Sequence, residues 1–315
     1  MASDGNIVAG LLRQDEARRG AATPPKASVS APKLSLVVST VARSWQLARL
    51  FESLKRQSFT DFEVLVIDQN DDDRLLSVID GGEWSFPVRH VRMRDAKGLS
   101  RGRNLGWRLA RGEVLLFPDD DCWYPSSFLE DGLEQMAGKG WDLLCGRAVD
   151  DGGRSINGRY SRTARLITKS NVWVCQMEWT TFIRRSVLLS LGGYDEMLGV
   201  GATTPWKAAE GPDLILRALS SGSRCYFDPS LCGFHEEIET VNPEPRTMLK
   251  MRDYARGMGF VLRKHRYSVA VIAYWVSRPL CNALRYAAAG KALRARYYLS
   301  VARGRLEGWL MRTAF

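Results

Sequence analysis

The chain has 315 residues, 45% of them apolar, and a formal charge of +10. That length and apolar share suffice for a large core without disulfide staples, so one globular domain with appendages is expected. The charge is uneven: fifteen Lys and Arg lie from Arg246 onward against Asp253 and Glu307 alone, which leaves the remainder slightly acidic.

The first twenty residues lack the continuous apolar run of a secretory signal, and residues 20–33 (GAATPPKASVSAPK) have linker composition. Residues 1–33 therefore read as a disordered leader to a cytoplasmic protein. The six cysteines form no Cys-x-x-Cys pair and lie near no histidine at zinc-ligand spacing, as expected of reduced, mostly buried thiols.

LSLVV (34–38) reads as a strand, and Leu47, Leu50, Phe51 and Leu54 recur at helical spacing after it. FEVLVID (62–68) is a second strand, and DRLLSVID a helix entered through Asp71, Asp72 and Asp73. PVRHVRM (87–93) is a third strand, and GLSRGRNLGWRLARG (98–112) a helix with Gly112 as its stop. EVLLFP (113–118), a continuous apolar run, is a fourth strand buried on both faces. Four strand–helix alternations imply right-handed crossovers and an α/β fold with a mostly parallel central sheet. Such sheets bind ligands at the carboxyl ends of their strands, where Asp68 and Asp119 to Asp121 stand. Further on, WDLLCGRAVD (141–150), VWVCQMEWTTFI (172–183) and SRCYFDP (223–229) read as strands, the last ended by Pro229. RSVLLSLGG and EGPDLILRALSSG (210–222) read as helices, and the chain from Pro245 is helical and basic.

Three adjacent aspartates repel one another unless a positive group sits among them. From an extended segment, Asp119 and Asp121 point one way and Asp120 the other. Two converging carboxylates suit Mg2+ or Mn2+, which keep further positions for water and a substrate diphosphate. The alternative is an acidic loop capping the next helix, SSFLEDGLEQM.

FPDDDCWYP resembles the Asp-x-Asp motif of the family 2 glycosyltransferases. LSLVVSTVAR is similar to that family's first strand and donor loop, SFTDFEVLVIDQN to its second strand, and GLSRGRNLG to its Gly-x-x-x-Ala-Arg-Asn-x-Gly helix. LGGYDEMLGVG is similar to its acceptor-side Gly-Gly-Phe-Asp-Glu segment. The resemblance runs from about Leu34 to His235 and implies the glycosyltransferase A fold. It divides the chain into a catalytic domain at 34–240, with a nucleotide-binding half (34–122) and an acceptor half (123–240), and a helical basic extension at 241–315. By the same resemblance Thr40, Arg43, Asp68 and Arg103, with Asp120, line the nucleotide pocket, and Asp119, Asp121 and His235 hold the metal. Asp120 is expected to turn aside, to cap the next helix or support the metal ligands.

The resemblance implies an inverting, metal-dependent transfer from a UDP-, TDP- or GDP-sugar to a hydroxyl of a glycan or lipid-linked acceptor, in cell-surface polysaccharide synthesis. The base of such enzymes comes from a Glu-Asp pair before a helix, and here the corresponding residues are Glu210 and Gly211. Glu210 and Asp213, three apart on one helical face, both stay open as the base. The glycine also leaves open a non-catalytic, nucleotide-sugar-binding or scaffold protein at the membrane. Trp206 reads either as core or as a platform for an acceptor sugar. YSVAVIAYWV (267–276) is too short to cross a bilayer, and the arginines interleaved with Leu, Tyr and Trp beyond it suit either an anionic membrane surface on the inner face or a solvated helical pair packed on the catalytic domain. No nucleic-acid motif accompanies that charge, so no nucleic-acid partner is expected.

Overall fold

The structure is a computed structural model that describes residues 31–95 and 97–312. The expected leader at 1–33 thus lies, but for its last three residues, outside the described residues. Eight strands form one sheet: β1 (Leu34–Thr40), β2 (Phe62–Asp68), β3 (Val88–Arg92), β4 (Val114–Leu116), β5 (Leu143–Val149), β6 (Arg165–Leu166), β7 (Phe182–Arg184) and β8 (Cys225–Phe234). Their order is β3-β2-β1-β4-β7-β5-β8-β6, with β3, β2, β1 and β4 mutually parallel and β7 antiparallel to both its neighbours.

Alternation along β1 shows why the sheet is sandwiched. Leu34, Leu36 and Val38 face one apolar layer with Leu47, Leu50 and Phe51 of α1 (Trp45–Lys55), whereas Val37 faces the other with Leu105 and Leu109. The short helix α2 (Leu76–Ile79) follows β2, and α3 (Leu99–Leu109) lies on the second face. A Cβ at Gly106 would collide with Val37 Cγ1, so this glycine lets α3 lie directly on β1. Helix α3 ends at Leu109 with Ala110 extended, three residues before the expected stop at Gly112. The chain continues through α4 (Phe128–Lys139), α5 (Arg185–Leu191) and α6 (Glu210–Ser220).

Two strand expectations fail. Residues 172–183 give 3-10 turns at Val172–Val174 and Glu178–Thr180, and only Phe182–Arg184 pairs in the sheet. Their apolar run is real, but Val172, Cys175 and Trp179 bury in irregular backbone. Strand β8 also runs past Pro229 to Phe234, with a register irregularity opposite Cys145 to Arg147 that accommodates the missing N–H.

The basic extension is three helices: α7 (Pro245–Lys264), α8 (Val269–Ala288) and α9 (Ala292–Leu310). Helices α7 and α9 pack almost backbone to backbone, because a Cβ at Gly259, Gly304 or Gly308 would strike a facing carbonyl. Glu307, buried between them, pairs with Arg252, Arg256 and Arg303. Helix α8 runs through Pro279, and no helix among the described residues is long and apolar enough to cross a membrane.

Candidate active site

The short central strand β4 delivers Asp119 to Asp121 to the carboxyl edge of the sheet. Directly after them, Trp123 exchanges two backbone hydrogen bonds with Phe234 at the end of β8. This bridge carries the next residue, His235, to the aspartates, with its Nε2 3.1 Å from Asp121 Oδ1. The ligand atoms of Asp119, Asp121 and His235 all lie within 4.8 Å of one another. His235 Nδ1 lies 2.7 Å from the Glu236 carbonyl oxygen, an acceptor that favours a hydrogen on Nδ1, while Nε2 faces the carboxylates. Two carboxylates and an imidazole so placed fit one divalent cation with positions left for water and phosphate oxygens.

Positive side chains already offset the acidic triplet. Arg43 pairs with both Asp121 and Asp120. Burial opposes ionisation of Asp121, yet His235 and then Arg43 hold its carboxyl below the usual range. Asp120 is pushed up to about 6 by burial, against Arg43 and Thr40.

Asp120 shares Arg43 with Asp121 and does not cap the next helix. It turns toward the donor loop, where Thr40 Oγ1 donates to its Oδ2 at 2.5 Å, and no side chain caps α4. The loop after Thr40 is shaped from beneath. Ala42, at φ 62°, donates its N–H to Asn70 Oδ1 at 2.6 Å, and Asn70 donates its own N–H and its amide to Asp68 Oδ1. His90 Nε2 donates to the other oxygen of Asp68 at 2.8 Å. Asp68 is 0% exposed, so it fixes the loop and does not present an oxygen to the pocket as expected.

Arg103 is the second centre. Its guanidinium, 2% exposed, reaches Asp119 at 3.0 Å, Glu178 at 2.5 Å and Glu210 at 3.5 Å. Burial drives the carboxyls of Glu178 and Glu210 above their ordinary range, against the pull of Arg103. Glu178 was not singled out from sequence, because its surroundings read as a strand. Asp213 is not part of this group. It is fully buried and held by Arg217, Lys264 and His265, three cations that fasten α6 to α7, so its expected place as a base is corrected to a structural one. Trp206 is likewise core, stacked on Phe260 at 4.9 Å.

The family model for glycosyl transferase family 2 matches residues 35–190, which hold Arg103, the triplet and Glu178. The chain belongs to glycosyltransferase family 2. An uncharacterized glycosyltransferase of Haemophilus influenzae is 26% identical over 247 residues, 71% of this chain and 76% of the relative. Among solved structures, the mannosyltransferase PcManGT of Pyrobaculum calidifontis, in complex with GDP-Man and Mn2+, superposes with a TM-score of 0.61 at 16% identity over 96% of both chains. S. aureus TarS in complex with UDP gives 0.54 at 17% identity, over 87% of this chain and 90% of that one. These structural likenesses establish the glycosyltransferase A fold.

In this glycosyltransferase a cavity of about 870 Å3 opens beside Asp121. Arg43 and Lys207 line one side of it, and Arg246, Lys250 and Tyr254 of α7 line another. Helix α7 of the extension thus lines the same cavity as Arg43 and Asp121. Its sequence signal, excess basic charge, suits a membrane surface and a packed helical pair alike and does not by itself point to the cavity. Four of the glycosyltransferase's cysteines are buried, Cys232 is partly so and Cys281 is exposed, all as free thiols.

Proposed function

We propose that this glycosyltransferase transfers a sugar from a nucleoside-diphosphate sugar to a hydroxyl with inversion at the anomeric carbon. The convergence of Asp119, Asp121 and His235 beside a cation-lined cavity carries this reading. A divalent cation bound there, Mg2+ or Mn2+, would neutralise charge developing on the departing diphosphate. Arg43, Lys207, Arg246 and Lys250 attract the anionic donor, and the Thr40–Asp120 bond with Arg43 holds the donor loop in place. The acceptor oxygen attacks the anomeric carbon from the face opposite the diphosphate. Its proton passes to a carboxylate of the Arg103 group, from which Asp213 is excluded by its own ion pairs.

The catalytic domain is assigned to 34–240, with nucleotide-binding residues at 34–122 and acceptor residues at 123–240. The extension at 241–315 serves the cleft through α7, and α8 and α9 serve an anionic membrane surface. Val269, Leu284, Leu293 and Leu299 stand exposed among the arginines of α8 and α9. A cytoplasmic enzyme on the inner face of the membrane, acting on glycan or lipid-linked acceptors of surface polysaccharide synthesis, accords with that surface. The test is release of UDP or GDP from UDP-GlcNAc, GDP-mannose and a wider set of sugar nucleotides. Release should require Mn2+ or Mg2+ and stop when a chelator is added; no release from any donor would refute the reading.

A further inference from the structure

We propose that Glu178 is the residue that takes the acceptor proton, standing in space where a side chain at position 211 would otherwise be. This rests on the transfer chemistry proposed above.

A base for the acceptor must be a carboxylate near Asp119, reachable from the cleft and not consumed by cations of its own. Asp213 fails the last condition. Glu210 and Glu178 share Arg103, which also holds Asp119, so both lie one guanidinium away from the aspartate triplet. They differ in access. The side chain of Glu178 is 16% exposed and that of Glu210 7%. The carboxyl carbon of Glu210 packs under the loop at Gly199, where a Cβ would lie 3.3 Å from it.

Gly211 explains how Glu178 enters. A Cβ at position 211 would meet Cδ, Cγ and Cβ of Glu178 at 3.0, 3.1 and 3.2 Å, closer than such atoms ordinarily pack. A side chain at position 211 would crowd Glu178 out of its present place, so the glycine and the glutamate fit together. The 3-10 turn that carries Glu178 is fixed from the metal side. Trp179 stacks on His235 at 5.8 Å, and the Trp179 carbonyl accepts a hydrogen bond from Tyr124 Oη at 2.5 Å. The base is thereby set in register with the residues that hold the diphosphate.

The step balances within the transfer. The acceptor oxygen forms a bond to the anomeric carbon as its O–H proton moves to the Glu178 carboxylate, and the bond from the anomeric carbon to the diphosphate oxygen breaks with its electron pair. Glu210 and Arg103 act as positioning residues that keep Glu178 beside Asp119.

The test uses the full-length enzyme with UDP-GlcNAc or GDP-mannose and Mn2+, with water as acceptor and release of UDP or GDP as readout. Glu178→Gln should lower kcat by about 100-fold or more, the scale of a lost general base. Its affinity for UDP or GDP with Mn2+, measured by calorimetry, should stay within about threefold, a change of under 1 kcal/mol. The double substitution Glu178→Ala with Gly211→Asp returns a carboxylate from the neighbouring position and should recover at least tenfold over Glu178→Ala alone. An active Glu178→Gln enzyme, within about threefold of wild type, overturns the proposal and leaves the transfer reading intact. Wild-type protein with no metal-dependent release overturns both.

Discussion

At the scale of residues, the electrostatics divide the buried carboxyls into two kinds. Burial pushes Asp213 up, but His265, Lys264 and Arg217 outweigh it and hold the carboxyl at about 2. A carboxyl depressed in the folded state adds stability that is fully present above its unfolded value of about 4 and is lost as pH falls through about 2. Asp213→Asn should therefore cost about 2 kcal/mol at neutral pH, a gap to wild type that closes as the pH approaches 2 in denaturant titrations. An equal gap at every pH would show that the ion pairs are not its source. Glu178 and Glu210 behave oppositely: their raised values favour the fold at low pH, and that contribution is lost as pH rises through the folded values. Alternation in an extended segment is a local rule and sufficed to point Asp119 and Asp121 the same way, whereas His235 entered through the family resemblance. Neither was enough for Glu178, which answers a glycine far along the chain and reaches it only through the fold. Asp213 misled because a carboxylate in a first helical turn looks the same whether it faces a substrate or three cations.

At the scale of elements, short apolar runs and helical apolar periods in alternation made the first four strands and α1 and α3 legible. Residues 172–183 were illegible for the same reason in reverse: a continuous apolar run marks burial but does not distinguish a strand from packed 3-10 turns. The packing of α7 on α9 rests on glycines that no apolar period marks. It depends on them, because a Cβ at Gly308 would strike the Arg256 carbonyl. Gly308→Val should thus destabilise the protein by about 2–3 kcal/mol through forced separation of the two helices. The same variant should weaken nucleotide binding, because α7 supplies Arg246 and Lys250 to the cavity. A variant that unfolds with the wild-type midpoint would contradict this packing account.

At the scale of the whole molecule, the positive charge of the C-terminal helices lies in two places. Arg246 and Lys250 face the cavity, and the arginines of α8 and α9 accompany exposed apolar side chains on the outside. Co-sedimentation should find the full-length chain on vesicles containing anionic lipid and free of neutral ones, with binding reduced by added salt. Equal sedimentation with neutral vesicles, or none with either, would remove the membrane reading without touching the site. The central claim concerns the site where β4 ends. It is tested most directly by nucleoside-diphosphate release from sugar nucleotides in the presence of Mn2+, with wild-type protein and Asp121→Asn side by side. The account predicts metal-dependent release by the wild type and a loss of about 100-fold or more in the folded variant. Release by Asp121→Asn at the wild-type rate, or by both proteins without metal, would contradict it.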